Sequence, residues 1–153
     1  MVLIDGGAGS GKTTLAELLR DQWPGTPPQL VGMDELYPGW KGLSAGSAEV
    51  PQVITGHGFT TWDWLADRRG RRHELDPQLG LIVEGCGAIT AASKALATLT
   101  IWLDAPEPLR RERALARDGD IFAPHWQDWA RQEAAHWRIN RPRELADLVI
   151  TVE

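Results

Sequence analysis

Gly6-Gly7-Ala8-Gly9-Ser10-Gly11-Lys12-Thr13 matches the pattern G-x-x-x-x-G-K-[ST] at every position, and its flanks are as informative as the motif. Before it, Val2–Asp5 reads as a short buried strand. After it, Lys12–Trp23 reads as a helix, because Leu15, Leu18, Leu19 and Trp23 recur at i, i+3, i+4 and i+8. A strand, a glycine-rich turn and a helix in that order constrain the backbone strongly. Glycines let it curl so that successive N–H groups converge, and the helix N-terminus adds roughly half a positive charge at the same point. That turn is a cradle for phosphate. Lys12 is placed to hold the β and γ phosphates of a nucleotide, and the Thr13 hydroxyl to join a Mg²⁺ shell.

The remaining chain alternates in a way that predicts the fold. Pro24 and Gly25–Pro28 stop the first helix. Gln29–Met33, Gly80–Glu84, Leu99–Leu103 and Asp147–Val152 read as short strands; Thr90–Ala97, Pro106–Arg117 and Pro124–Ile139 read as helices. The last helix carries Trp126, Trp129, Ala130, Ala134 and Trp137 on one face, a core-facing pattern. Glu35–Phe59 has no clear period and suits a binding loop, with room for a short helix near Ala45–Ile54. Thr60–Ala66 and Arg71–Leu75 form a hairpin turning at Asp67–Gly70, so Arg68–Arg72 is expected at a solvated turn. Apolar strands alternating with helices imply a parallel five-stranded sheet covered on both faces, a three-layer α/β domain. Ligands in such sheets bind beyond the carboxyl ends of the strands, where Gly6, Asp34, Glu84 and Asp104 fall.

Composition removes whole classes. A length of 153 residues predicts one domain, 1–153, and 42% apolar with 24% charged residues excludes wholesale disorder. A net charge of −5 argues against broad nucleic-acid binding. No run approaches the ~18 apolar residues of a membrane span. The N-terminus lacks the basic-then-apolar order of a signal peptide. Cys86 is the only cysteine, so an internal disulfide is impossible and a reducing cytoplasm fits best.

Several side chains are candidates for chemistry around the cradle. Asp34, ending the second strand, can face the γ-phosphate and accept or orient an acceptor hydroxyl; the competing reading is an aspartate that caps a turn. Glu84, ending Leu81-Ile-Val, is expected to hold Mg²⁺, and otherwise to cap the next helix. Arg110, Arg113 and Arg117 share one helical face, with Arg117-Asp118-Gly119 breaking into a loop. This suits a lid over 110–125, led by Arg113 and Arg117, and equally a solvated helix. Asp63, in Trp62-Asp63-Trp64, either meets acceptor hydroxyls or lies in a strand that packs its tryptophans. An Asn-Lys-x-Asp segment that would read guanine does not occur, and the chain is short for a motor ATPase. A compact kinase remains, with a nucleotide-binding regulatory module as the reading from another class.

Asp5 through Thr14 (DGGAGSGKTT), Asp34-Glu-Leu-Tyr37, Ile82-Val-Glu-Gly85, Arg113–Asp118 and Ala146–Ile150 together resemble the uridine kinases and related P-loop nucleoside and nucleotide kinases. The resemblance implies a P-loop NTPase fold with a small lid and an acceptor region over 35–75. It implies ATP and Mg²⁺ as cofactors, bound by Gly6, Gly7, Ala8, Gly9, Ser10, Gly11, Lys12, Thr13 and Thr14. Asp34 would serve as the base for a sugar hydroxyl of a small nucleoside-like acceptor, with Tyr37 beside it and Arg113 and Arg117 as lid arginines. A nucleoside monophosphate or other small metabolite is the alternative acceptor, and the protein is expected to be a monomer or homodimer. The Arg-Gly-Arg continuation of the family's lid is replaced here by Asp118-Gly-Asp120.

Overall fold

A computed structural model describes all 153 residues. In chain order the elements are β1 (Val2–Gly6), α1 (Lys12–Asp21), β2 (Gln29–Gly32), α2 (Leu43–Thr55), β3 (Gly58–Asp63), β4 (Arg68–Glu74) and β5 (Leu81–Glu84). There follow α3 (Ala91–Lys94), β6 (Leu99–Asp104), α4 (Glu107–Phe122), α5 (Trp126–Asn140), α6 (Pro142–Leu145) and β7 (Leu148–Thr151). Five strands form one parallel sheet in the order β2-β5-β1-β6-β7, while β3 and β4 make a separate antiparallel hairpin. The chain leaves β1 toward one side of the sheet and β5 toward the other. Both phosphate loop and Glu84 therefore lie at the reversal, where such sheets open a crevice.

Strand periodicity divides the core. Val2 and Ile4 of β1 face α1 and pack with Ala16, Ile82, Ile101 and Leu103. Leu3 faces the opposite way, into a larger cluster with Val31, Val83, Met33, Leu43, Val50 and Trp129. β1 is buried throughout, as a central strand must be. β7 is the exposed edge, and Asp147 just before it accepts from the Thr100 amide and hydroxyl and pairs with Lys94. Those partners hold its carboxyl down at about 2.

Three expectations are corrected. Residues 43–55, placed in an irregular loop with a short helix at most, form thirteen residues of helix despite Gly46 and Pro51. Gly46 is required there because a methyl would stand 2.7 Å from the Tyr37 ring. The hairpin turns at Trp64–Asp67, not Asp67–Gly70, because Asp63 Oδ1 accepts from the amides of Leu65 and Ala66 and closes the turn earlier. Arg68–Arg72 is consequently exposed strand and not turn. The helix expected to end at Arg117 continues to Phe122, interrupted only at Gly119 (φ 52°, ψ −129°), and a single 3-10 turn, Ala123–His125, leads into α5. The 110–125 region is thus helical with one break, and no loop projects from it.

The buried face of α5 also differs. Trp126 and Trp129 are in the core as expected, but Glu133 and His136 complete the buried stripe, Ala134 is exposed and Trp137 is half-buried. No helix is long and apolar enough to cross a membrane.

Candidate active site

The loop between β1 and α1 turns tightly enough that side chains are excluded from it. Gly9 has φ +80°, and a methyl there would stand 2.0 Å from the Arg110 carbonyl oxygen. Lys12 is buried, and its Nζ donates to the Gly7 carbonyl at 2.8 Å, so the ammonium lies within the curl. Ser10 is fully buried and its hydroxyl has no partner. A buried hydroxyl left unpaired inside a ring of glycines is the mark of a site shaped for a ligand with acceptor oxygens.

Beside this loop stand three carboxyl-bearing positions. The Thr13 hydroxyl donates to Glu84 Oε1 at 3.0 Å. Burial pushes the Glu84 carboxyl above its ordinary range, opposed by Lys12 and the Thr13 bond and assisted by Asp34. Gly32 ends β2 opposite Glu84. A methyl on Gly32 would lie 2.4 Å from Asp34 Oδ1 and 3.6 Å from Glu84 Oε1, so the two carboxylates approach across bare backbone. Asp34 itself is exposed, on the 3-10 turn Met33–Glu35, with its carbonyl held by the Trp64 indole N–H at 2.9 Å. Glu35 is raised by burial and by Asp34. Hard oxygen donors of this kind, a hydroxyl and a carboxylate beside a phosphate cradle, suit Mg²⁺.

The other sequence candidates separate. Arg117 pairs with Asp118 at 2.7 Å, and its field reaches both Asp34 and Glu84. Arg113 is exposed and joins no ion pair. Tyr37 is buried; its hydroxyl donates to the Cys86 carbonyl at 2.7 Å, its ring meets Trp129 edge-on, and burial pushes its pKa well above 10. It ties the turn bearing Asp34 to the segment after β5. Asp63 is exposed and engaged in closing the hairpin turn. Arg110, grouped with Arg113 and Arg117 by spacing, turns the other way. It is buried against Trp137 and hydrogen-bonded to the carbonyls of Ala105 and Ala8.

Sequence reasoning missed three groups. Asp5 is wholly buried; Oδ1 accepts from Gly6 and Gly87 and Oδ2 from Ile89, so one carboxylate joins the start of the phosphate loop to the segment after β5. Glu133 accepts from the Ala8 amide at 2.6 Å and from the Cys86 thiol. His136 Nε2 lies 3.7 Å from Asp5 Oδ2. The signal was present as spacing, since Trp126, Trp129, Glu133 and His136 fall on one face of a 3.6-residue helix. A cavity of about 290 Å³ opens between Trp102, Arg110, Trp137 and Arg141, sharing only Gly7 with the loop. A second, about 350 Å³, lies between α2 and the hairpin, lined by Glu49, Val53, Phe59, Arg69 and Arg72.

A parallel sheet with this loop between its central strand and first helix has the fold of the P-loop NTPases. Some of the solved structures that it resembles carry kinase descriptions. A possible uridine kinase from Bacillus stearothermophilus superposes with a TM-score of 0.61 at 19% identity, covering 97% of this chain and 86% of the other. A candidate fructose transport system kinase from Silicibacter sp. TM1040 gives 0.61 at 19% identity, covering 97% and 88%. Shikimate kinase from Acinetobacter baumannii, in complex with shikimate, gives 0.58 at 17% identity, covering 99% and 83%. No protein-family model matches the sequence, and no curated protein sequence matches it.

Proposed function

We propose that this protein is an ATP- and Mg²⁺-dependent small-molecule kinase that phosphorylates a hydroxyl of a nucleoside-like acceptor in the cytoplasm, as a monomer or homodimer. The observation that carries this reading is the convergence of Thr13, Glu84 and Asp34 beside the glycine loop. Likeness in fold to structures described as kinases supports phosphoryl transfer. A neutral acceptor is favoured because Glu35–Phe59 contains no arginine, the residue that best clamps a second phosphate.

Amides from Gly7 to Thr13, with Thr14 at their end, hold the triphosphate, and Lys12 exchanges its Gly7 contact for β- and γ-phosphate oxygens. Thr13 and Glu84 would hold Mg²⁺, which supplies positive charge to the transferring group. Asp34 takes the hydroxyl proton as the acceptor oxygen bonds to the γ-phosphorus and the bond to the β-phosphate oxygen breaks, releasing ADP. Arg117 leaves Asp118 to face the charge spread over the transferring phosphoryl oxygens, with Arg113 one turn earlier on α4. Tyr37 holds the Asp34 turn from below, and Asp63 meets the acceptor through whatever capacity its turn bonds leave free.

The test is ADP release with MgATP and panels of nucleosides, nucleoside monophosphates, sugars and small hydroxy acids. Turnover on a nucleoside supports the reading. Release on a monophosphate alone would correct the acceptor. Tight MgATP binding with no acceptor-dependent release would make the protein a regulatory module. Arg117→Ala is expected to lower kcat at least tenfold and to change the Kd for MgATP by less than about threefold. Equal losses, measured by titration calorimetry beside initial rates, would exclude a transition-state role.

Glu84 also gives a pH prediction. Its carboxyl is raised, so it gains a proton, and loses cation affinity, at a higher pH than a free glutamate near ~4.3. Mg²⁺ affinity should therefore fall as pH is lowered from 7, with its midpoint above that value. Glu84→Gln should weaken Mg²⁺ at pH 7 and flatten the profile. A midpoint at or below the free-glutamate value would remove Glu84 from the metal site.

A further inference from the structure

Behind the phosphate loop lies a buried pair of opposite charges. Arg110, on the first turns of α4, is 7% exposed and Glu133, on α5, is 2% exposed. Arg110 Nη1 stands 3.6 Å from Glu133 Oε2 and 3.3 Å from the Ala8 carbonyl oxygen. Glu133 Oε1 accepts from the Ala8 amide at 2.6 Å, so the peptide groups on either side of Ala8 are held by both members of the pair. The guanidinium is so close beneath the curl that a methyl on Gly7 would fall 2.3 Å from its Nη1. Trp137 covers its other side, with the guanidinium carbon 5.6 Å from the ring centroid. Neither charge is screened by solvent, and each faces a loop shaped to receive a polyphosphate.

A lone carboxylate in that position would oppose an incoming anion, and a lone guanidinium would attract one. We propose that Arg110 and Glu133 are a compensating pair that sets the electrostatic potential behind the phosphate loop, and so the affinity with which the loop holds a polyphosphate, while positioning Ala8 through its amide and carbonyl. The pair couples α4 and α5 to the loop, because the two charges come from different helices. It rests on the reading of Gly7–Thr13 as a phosphate site.

A charge acting through protein in place of water changes the affinity for a polyanion by about tenfold or more, and its sign separates this role from structural support. Glu133→Gln keeps an oxygen for the Ala8 amide and leaves Arg110 uncompensated, so it should tighten binding of inorganic tripolyphosphate and of MgATP by about tenfold. Arg110→Gln leaves Glu133 uncompensated and should weaken both by a similar factor, and the double variant should return toward wild type. Adenosine affinity should be unaffected throughout.

Titration calorimetry reads these affinities, with far-ultraviolet circular dichroism confirming that each variant is folded. A merely structural pair would weaken binding in both single variants. If Arg110→Gln fails to fold, Glu133→Gln decides alone: tighter binding supports the proposal, and unchanged or weaker binding overturns it. Wild type that binds neither anion overturns the phosphate-site reading and this one with it. Wild-type binding with both single variants shifted in the same direction overturns this one alone.

Discussion

Asp34→Asn is expected to slow acceptor-dependent ADP release by about a thousandfold, within the range of general-base contributions, while the Kd for MgATP changes by less than about threefold. The asymmetry follows from where Asp34 stands. Its backbone is held by the Trp64 indole and by the turn that Tyr37 anchors, so an isosteric side chain should not disturb the loop. Its carboxylate is exposed and approaches Glu84 across Gly32, so the substitution falls outside the glycine loop itself. Asparagine keeps the hydrogen-bonding shape but cannot accept a proton. Initial rates and calorimetry on the same preparation check both halves. Turnover within tenfold of wild type would sink the base role and leave orientation of the hydroxyl as the most that Asp34 does.

Asp5→Ala should have the largest effect on stability. It leaves three buried amides, those of Gly6, Gly87 and Ile89, without their acceptor. An unsatisfied buried donor costs about 1–3 kcal/mol, so the sum is a large part of the ~5–15 kcal/mol that holds a typical domain together. At about 2–4 °C per kcal/mol for a chain of this size, a fall in Tm of more than about 10 °C is expected. Asp5→Asn keeps one oxygen acceptor and should lie between the two. A thermal melt of the alanine variant within about 3 °C of wild type would mean that water replaces the carboxylate, which a fully buried position should not permit.

What the sequence revealed, and what it withheld, has a common physical basis. Strands and the phosphate turn were legible because apolar runs, glycine spacing and a lysine at a helix start are local signals. Residues 43–55 were not read as a long helix because Gly46 and Pro51 are locally unfavourable. Packing against Tyr37 requires the first, and the surrounding core outweighs both. The hairpin turn was misplaced because Asp67–Gly70 and Asp63–Asp67 both carry turn residues, and only the Asp63 side-chain bonds decide between them. Spacing groups Arg110 with Arg113 and Arg117 because a helical period gives the face and not the neighbour, and Arg110 proves buried. Glu133 and His136 were hidden for the converse reason. Patterns of burial are read from apolar residues, so a carboxylate and an imidazole at core positions escape notice until the loop they serve is in place.

Gly119 separates two differently tethered lengths of one helical connection. Past it, Phe122 and His125 both stack on Trp40, at 5.5 and 4.1 Å between ring centroids, and Trp40 in turn meets Trp64. Before it, Arg110 ties the helix to the Ala8 carbonyl, and the exposed Arg117 side chain pairs with its neighbour Asp118. A methyl at Gly119 would meet nothing, so the residue is glycine for its torsion angles and not for space. The break therefore separates two anchored lengths, one fixed to the phosphate loop and one to the aromatic rings around Trp40, so any change in their relative tilt would fall on the Gly119 torsions and not on regular helix.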